Sequence, residues 1–178
     1  MGQVFGTGKK QVRTSLKAHI AFLERALHTT DTDLGEMVRE SPAWRERDEL
    51  LRSVPGVGPV LSRTLLADLP ELGRWSRRAV AKLVGVAPLS RDAGTMRGRR
   101  FVQGGRAAVR GVLYMAALVA TRRHVIIREF YRRLLGAGKP KTLAHVACMR
   151  KLRTILNTMV RTTTTWRVSA AAEVLASA

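Results

Sequence analysis

The turn Pro55-Gly56-Val57-Gly58 has the residue types and spacing of a phosphate-binding bend. Its two glycines let the backbone turn sharply and approach an anion without a Cβ in the way. Backbone N–H groups at the start of the next helix would point at that anion, and the helix dipole favours negative charge there. We therefore predict a helix-hairpin-helix motif over residues 50–69, in which Gly56, Gly58 and Arg63 contact nucleic-acid phosphates rather than bases. The alternative is a tight helix–helix turn without a ligand.

Arginines alternate with glycines in a second segment, residues 89–105, which has no apolar periodicity. A segment of seventeen such residues inside a compact protein indicates either function or disorder. Arginine can contact phosphate groups or base edges through two parallel hydrogen bonds, and glycine allows a nucleic-acid strand to come close. The arginines predicted to bind nucleic acid are Arg97, Arg99, Arg100, Arg106 and Arg110. The alternative is a mobile surface loop.

The chain from Leu50 to Trp166 resembles the C-terminal domain of the IS-one-ten family of insertion-sequence transposases. The motifs that carry this resemblance are Val54-Pro-Gly-Val-Gly-Pro59, Leu83-Val-Gly-Val-Ala-Pro88, Asp92-Ala-Gly94, Arg97-Gly-Arg-Arg100, Gly104-Gly105-Arg106, Leu113-Tyr-Met-Ala-Ala117 and Met149-Arg-Lys-Leu152. The segment before it is similar to the coiled coil that joins the two domains in this family. Together they cover about seven-eighths of the chain.

The resemblance implies a recombinase that excises and inserts circularised elements, guided by a structured RNA. In the family, a RuvC-like domain supplies four acidic residues for metal ions, and the C-terminal domain supplies a serine nucleophile. Residues 1–73 contain acids on predicted helices but no alternating strands that would hold a metal cluster. We therefore expect no cofactor in this chain, and Mg²⁺ only together with the RuvC-like domain.

In the family, the nucleophile is the serine of a Ser-Gly pair. By the resemblance, Ala93 stands at the position of that serine, immediately before Gly94. Alanine has no nucleophile, and Ser90 is not expected to substitute because a misplaced hydroxyl reacts poorly. We therefore expect this chain alone to catalyse no strand transfer. An inactivating substitution and a natural decayed or truncated copy are both consistent with Ala93.

The elements that must position these residues are all predicted to be helices. Their expected ranges are 41–54, 59–69, 77–84, 106–135 with a bend near His124, and 141–160. No segment alternates like a strand, so the predicted fold class is all-α. The predicted domains are a coiled-coil or linker helix over 1–40, a helical domain over 41–166 and a frayed tail over 167–178.

A heptad seam precedes the helical domain. Apolar residues fall at alternating spacings of four and three, interrupted only by one threonine: Leu16, Ile20, Leu23, Leu27, Thr30, Leu34 and Met37. Thr29-Thr30-Asp31 and Gly35 are expected to weaken the second half of this helix. Two interpretations remain equal, an amphipathic helix packed on its own core and a two-stranded coiled coil that forms a homo-oligomer.

The formal net charge of +19 is concentrated in one part of the chain. Residues 74–161 carry twenty-one Lys or Arg against two acids, whereas ten basic and ten acidic residues cancel within 1–73. So much self-repulsion indicates a polyanionic partner, with nucleic acid first and an acidic membrane surface second. No apolar run reaches the roughly 18–20 residues of a membrane span. The only cysteine, Cys148, is expected to be a buried thiol.

Three functions are compatible with these patterns. The first is the nucleic-acid-binding C-terminal part of an insertion-sequence transposase, with DNA and a structured guide RNA as partners. The second is a non-enzymatic architectural helix-hairpin-helix protein that binds DNA, and the third is a purely structural oligomerising module. No membrane partner is predicted. No zinc site is predicted either, because the histidines and Cys148 lack metal-ligand spacing. The expected location is the bacterial cytoplasm, in association with the nucleoid.

Overall fold

A computed structural model describes residues 4–89, 92–93, 96–97, 101–102 and 104–166; for residues 4–8 and 88–102 the description covers the backbone only. The chain divides into two compact units, Met1–Arg45 and Glu46–Ala178. The elements in chain order are α1 (Val4–Glu40), α2 (Pro42–Arg52), α3 (Pro59–Asp68), α4 (Arg77–Val84), β1 (Pro88–Leu89), β2 (Asp92–Ala93), β3 (Met96–Arg97), β4 (Phe101–Val102), α5 (Ala107–Arg123), α6 (Val125–Gly136) and α7 (Lys141–Thr162). The predicted all-α class is confirmed.

The first unit is dominated by α1, which continues through the threonines that were expected to weaken it. The hydroxyl groups of Thr29, Thr30 and Thr32 donate to the backbone carbonyls four residues earlier, at 3.1, 3.0 and 2.9 Å. Such bonds satisfy the hydroxyls inside a helix instead of drawing the backbone into a turn. The apolar members of the seam are exposed, from Leu34 at 43% to Leu27 at 66%.

Helix α5 is the central element of the second unit and packs against α3, α4, α6 and α7. Its inward face consists of Val109, Leu113, Ala116, Ala117 and Ala120, all of which are buried. Three of these five residues are alanine, so neighbouring backbones can approach the helix closely while the core stays filled. The rest of this core comes from buried apolar residues of α2, α3, α4, α6 and α7 and of the turns between them.

The long helix predicted over 106–135 is two helices separated at His124. The backbone of His124 is extended, with φ −95° and ψ 112°, and its Nδ1 accepts a hydrogen bond from the N–H of Ile127 at 3.4 Å. His124 therefore ends α5 and caps α6. The bend expected near this residue is a complete break in the helix.

Between α4 and α5 the described backbone forms two nested antiparallel pairs. Strand β1 pairs with β4, with Pro88 opposite Val102 and Leu89 opposite Phe101. Strand β2 pairs with β3, with Asp92 opposite Arg97 and Ala93 opposite Met96. These strands were not expected from the sequence, because each has only two residues and its pairing partner lies elsewhere in the segment.

Candidate nucleic-acid interface

The predicted hairpin lies where α2 ends and α3 begins. Gly58 is the N-cap of α3, with φ −98° and ψ 177°, and Pro59 is the first helical residue. No side chain caps this helix start. The first backbone N–H groups of a helix have no carbonyl partner within that helix, and they lie at the positive end of its dipole. At this start Val60 is exposed, whereas Leu61 is buried.

The two glycines of the turn serve different purposes. Gly56 has φ +99°, and a Cβ there would lie 3.0 Å from the backbone N and Cα of Ala120 on α5. Glycine is therefore required at this position both by conformation and by packing. A Cβ at Gly58 would meet nothing within 4 Å. The open side of the turn is thus at Gly58, next to the uncapped start of α3.

The hydrophobic side of the turn is anchored in the core. Val54 and Val57 are 1% and 8% exposed, so they fix the turn against the helices. Ser62 is fully buried on α3, and its hydroxyl has no hydrogen-bond partner among the described residues. Arg63, the cation predicted to support phosphate binding, is only partly exposed.

The glycine- and arginine-rich segment begins and ends at one crossing point. Gly85 caps α4 in a left-handed conformation with φ +71°, and Gly105 has φ +73°. A Cβ on Gly85 would overlap the carbonyl of Gly104, and one on Gly105 would lie 2.5 Å from the carbonyl oxygen of Leu83. The N–H of Arg106 donates to the same Leu83 carbonyl at 2.8 Å. Only glycine allows the two ends of the segment to come this close.

Arg106, predicted to bind nucleic acid, makes its described contacts within the protein. Its two terminal nitrogens donate to the two carboxylate oxygens of Glu71 at 2.6 and 2.7 Å, and Nη1 also donates to the Asp68 carbonyl at 2.7 Å. The hydrogen bond from Arg106 lowers the pKa of Glu71 to about 2. This two-pronged geometry uses the planar fork of arginine and fixes the start of α5 to the end of α3. Arg106 is therefore occupied as a clamp in this structure.

The remaining predicted residues of the segment divide into three groups. Arg110 donates from Nη1 to the Gly104 carbonyl, and thereby also holds the crossing point. Ala93 and Arg97 lie on the inner strand pair, where only the backbone is described. Arg99 and Arg100 lie outside the described residues.

The hairpin and the arginine-rich segment adjoin different parts of α5. Gly56 contacts Ala120 near the end of this helix, whereas Arg106 immediately precedes its first residue, Ala107. Thirteen residues of helix between Ala107 and Ala120 correspond to about 20 Å. The structure therefore separates the hairpin from the base of the segment along α5.

Sequence reasoning missed a third basic feature, a groove between α4 and α7. It is lined by Arg77, Arg78 and Lys82 of α4 and by Arg150, Lys151 and Arg153 of α7, with Phe130 of α6. The signal was present as basic clusters on two helices. Because the clusters are about seventy residues apart in the chain, the sequence could not show that they share one groove.

Within the part of the chain that the structure describes, no three His, Cys, Asp or Glu side chains come together in a way that could hold a metal ion. Across the same residues, no helix is long and apolar enough to cross a membrane. Cys148 is fully buried, as predicted, and burial raises the pKa of its thiol to about 11.

Residues 48–132 match the model of a protein family described as Transposase IS116/IS110/IS902 family. Over 161 residues, the chain is 30% identical to the uncharacterized 44.8 kDa protein of insertion element IS116 from Streptomyces clavuligerus. It is also 30% identical over 158 residues to the uncharacterized 42 kDa protein of insertion element IS900 from Mycobacterium paratuberculosis. A pilin gene-inverting protein from Moraxella bovis is 27% identical over 135 residues.

These alignments cover most of this chain but less than half of each relative. The shares of this chain are 89%, 85% and 74% in the order given above. The shares of the relatives are 40%, 39% and 42%. The chain thus spans about two-fifths of the length of the relatives that it matches.

Proposed function

The chain belongs to the IS116/IS110/IS902 family of transposases over residues 48–132, and on that premise we propose that it is the nucleic-acid-binding part of a protein that acts in DNA transposition or recombination. The observation that carries this proposal is the uncapped start of α3 behind Gly58, where a side chain would meet open space. Residues 74–161, which follow this helix in the sequence, hold the excess positive charge of the chain. The name of the Moraxella relative, a pilin gene-inverting protein, supports a role in DNA rearrangement.

The proposed contact at the hairpin is electrostatic and sequence-independent. A phosphate oxygen would accept hydrogen bonds from the first N–H groups of α3 at the positive end of the helix dipole. Arg63, one turn into α3, would add a full positive charge. Such a contact fixes the position of a strand but does not distinguish its bases, so the target sequence would have to be read elsewhere.

A test of this contact follows from the geometry of Gly58. An aspartate at an N-cap accepts hydrogen bonds from the same N–H groups that a phosphate would use, and it adds negative charge. We expect Gly58→Asp to raise the melting temperature slightly, because the extended backbone tolerates a side chain and the helix gains a cap. At the same time it should weaken binding of a DNA duplex by roughly tenfold or more at low salt.

Ala67→Asp is the matched control, since it changes the charge equally at an exposed position near the other end of α3. Binding should be measured by fluorescence anisotropy and stability by thermal unfolding. Equal weakening by the two variants would contradict a specific phosphate contact at the start of α3. Absence of DNA binding by the unmodified chain at low ionic strength would contradict the proposed function itself.

We further propose that this chain performs no strand transfer on its own. The family resemblance places a serine nucleophile at the position of Ala93, which follows Asp92 on the inner strand pair and carries only a methyl group. The arginine-rich segment would then hold a nucleic-acid strand without cleaving it. Arg97, Arg99 and Arg100 are the residues proposed for this contact.

Two partners besides DNA are proposed, one from the family resemblance and one from the heptad pattern of α1. A structured guide RNA is proposed from the family resemblance, and preference for such an RNA over plain duplex would separate this function from an architectural DNA-binding role. A second copy of the chain is proposed as the partner of α1, whose exposed seam from Leu16 to Met37 has heptad spacing over about 32 Å of helix. The proposed location is the bacterial cytoplasm, in association with the nucleoid.

A further inference from the structure

The groove between α4 and α7, with α6 at one wall, has a volume of about 740 Å³. Six of its lining side chains are cationic, as named above, and none of the described lining residues is acidic. Like charges in one groove repel one another, and walls of low dielectric strengthen their field. The arrangement is therefore unfavourable unless an anion or solvent occupies the groove.

Arg153 forms the buried floor of this groove. It is 4% exposed, and its Nη1 donates to the backbone carbonyl of Arg77 at 2.7 Å while Nη2 donates to the hydroxyl of Thr154 at 3.1 Å. Its Nε is buried and has no hydrogen-bond partner among the residues that the structure describes. Neither of these two partners carries a negative charge. A buried guanidinium without an anion is costly.

Burial and neighbouring cations lower the pKa values of two groove residues. Burial is the largest cause that lowers the pKa of Arg153 to about 10, and the positive charges of Arg150 and Arg77 contribute to this shift. Burial also lowers the pKa of Lys151, and the charge of Arg133 adds to this effect. A bound anion would reverse these trends by favouring the charged forms.

Phe130 provides an apolar wall beside the charges. The Nζ of Lys151 lies 4.4 Å from the centre of its ring, and the guanidinium carbon of Arg133 lies 5.3 Å from it. The ring stabilises both cations by a cation–π interaction and limits their access to water. It therefore holds Lys151 in place without neutralising the charge that faces the groove.

A purely structural role explains only part of this arrangement. The bond from Arg153 to the Arg77 carbonyl joins α7 to α4 across 76 residues of chain. That bond does not account for Arg78, Lys82 and Arg150, which are exposed and line the same groove. Their convergence from two helices is typical of an anion-binding surface rather than of a packing contact.

We propose that the groove between α4 and α7 binds the phosphodiester backbone of a single nucleic-acid strand, as a contact separate from the hairpin at Gly58. The inference rests on the proposed nucleic-acid-binding function and adds a second site to it. The volume is that of a site for a ligand much larger than one phosphate ion. The cations are divided between exposed positions on both helices and a buried one at the floor, as contacts to successive phosphates would require.

The test compares two double variants of equal charge. Arg78→Gln with Arg150→Gln removes two exposed groove cations and leaves Arg153 and its hydrogen bonds intact. Arg132→Gln with Arg161→Gln is the control, since both arginines are exposed and neither lines the groove. The probes are a short fluorescent single-stranded DNA and an RNA of the same sequence, titrated at several salt concentrations. Thermal unfolding of each variant shows that folding is retained.

We expect the groove variant to bind at least one of the two strands roughly ten- to thirtyfold more weakly than the unmodified chain at about 0.1 M salt. The slope of log affinity against log salt should decrease by about 1.4, because each lost phosphate contact on a single strand contributes about 0.7. The control should retain most of its affinity and slope. A loss of affinity for the DNA, for the RNA or for both would show which kind of nucleic-acid strand the groove binds.

Equal loss in the groove and control variants would overturn the groove proposal, and so would unchanged binding in both. Either result would leave the proposed function standing if the unmodified chain binds and Gly58→Asp weakens that binding. No binding of any strand by the unmodified chain would overturn both proposals. Inorganic phosphate serves as a third probe. If the groove variant binds phosphate more weakly but binds both strands as tightly as the unmodified chain does, the groove binds free anions only, and the inference is contradicted.

Discussion

His124 combines a structural role with an unusual ionisation. The residue is 1% exposed, its Nδ1 caps α6, and its ring centre lies 4.3 Å from that of Trp166. Burial lowers its pKa from 6.5 to about 4, and the nearby positive charge of Lys151 acts in the same direction. The neutral imidazole is therefore the form that fits the folded protein, and its buried Nε2 has no partner among the described residues.

We predict that this histidine makes the protein less stable as the solution becomes acidic. The unfolded chain binds a proton near pH 6.5, whereas the folded chain resists it until about pH 4, so stability is lost as the pH falls through this window. The loss attributable to His124 between pH 7.5 and 5.5 should be about 1 kcal/mol. His124→Asn keeps an N-cap acceptor but cannot titrate, and chemical unfolding at both pH values should show the smaller loss in this variant. Identical pH dependence in the two proteins would contradict the prediction.

Helix α1 differs from the other elements because its apolar stripe is exposed in the described chain. Six apolar seam residues are at least 43% exposed, from Leu16 to Met37. A helix of 37 residues with such a stripe gains most by burying it against a similar helix, and heptad spacing provides the complementary surface. In the second unit, by contrast, the inward face of α5 is covered on several sides by other helices.

We predict that the chain dimerises through this seam. Leu23→Lys with Leu27→Lys should convert the dimer to a monomer, because it places repelling charges at adjacent seam positions. Ala18→Lys with Ala21→Lys adds the same charge at exposed positions of α1 outside the seam and should leave the dimer intact. Light scattering after size-exclusion chromatography measures the mass. A monomeric unmodified chain at micromolar concentration would contradict the proposal.

The charge of the whole molecule favours association with a long polyanion rather than with a small ligand. Its net charge of +19 is concentrated after residue 73, and these cations include those of the arginine-rich segment and those that line the groove between α4 and α7. Several separate contacts to phosphates make affinity strongly dependent on salt. A chain with this charge but without a nucleophile at Ala93 would bind its substrate without reacting.

We therefore predict nucleic-acid binding without strand transfer. The purified chain, incubated with element DNA and Mg²⁺, should give no nicked or joined product above a sample without protein. Binding should be measured in the same mixtures, so that inactivity is not a consequence of unbound DNA. Product formation by the unmodified chain would show that Ala93 does not mark a missing nucleophile.

The sequence by itself determined the features that depend on neighbouring residues. Apolar spacing and turn residues identified the helices, and the Pro-Gly-Val-Gly pattern identified the turn between α2 and α3. Family motifs identified the resemblance to insertion-sequence transposases, and the model of the IS116/IS110/IS902 transposase family matches residues 48–132. Helix formation and turns are governed by interactions within a few residues, so their signals are present in the local sequence.

Only the tertiary structure decided how the charged residues are used. Arg106 was predicted to face nucleic acid, but Glu71, 35 residues earlier, occupies its guanidinium. Arg153 drew no attention in the sequence, although it is buried in a groove whose cations come from both α7 and α4, and it bonds to Arg77, 76 residues earlier. The two arginines are alike in the sequence. Their roles differ because Arg106 lies within hydrogen-bond distance of a carboxylate, whereas the described partners of Arg153 are a carbonyl and a hydroxyl. Such distances are set by how the helices pack.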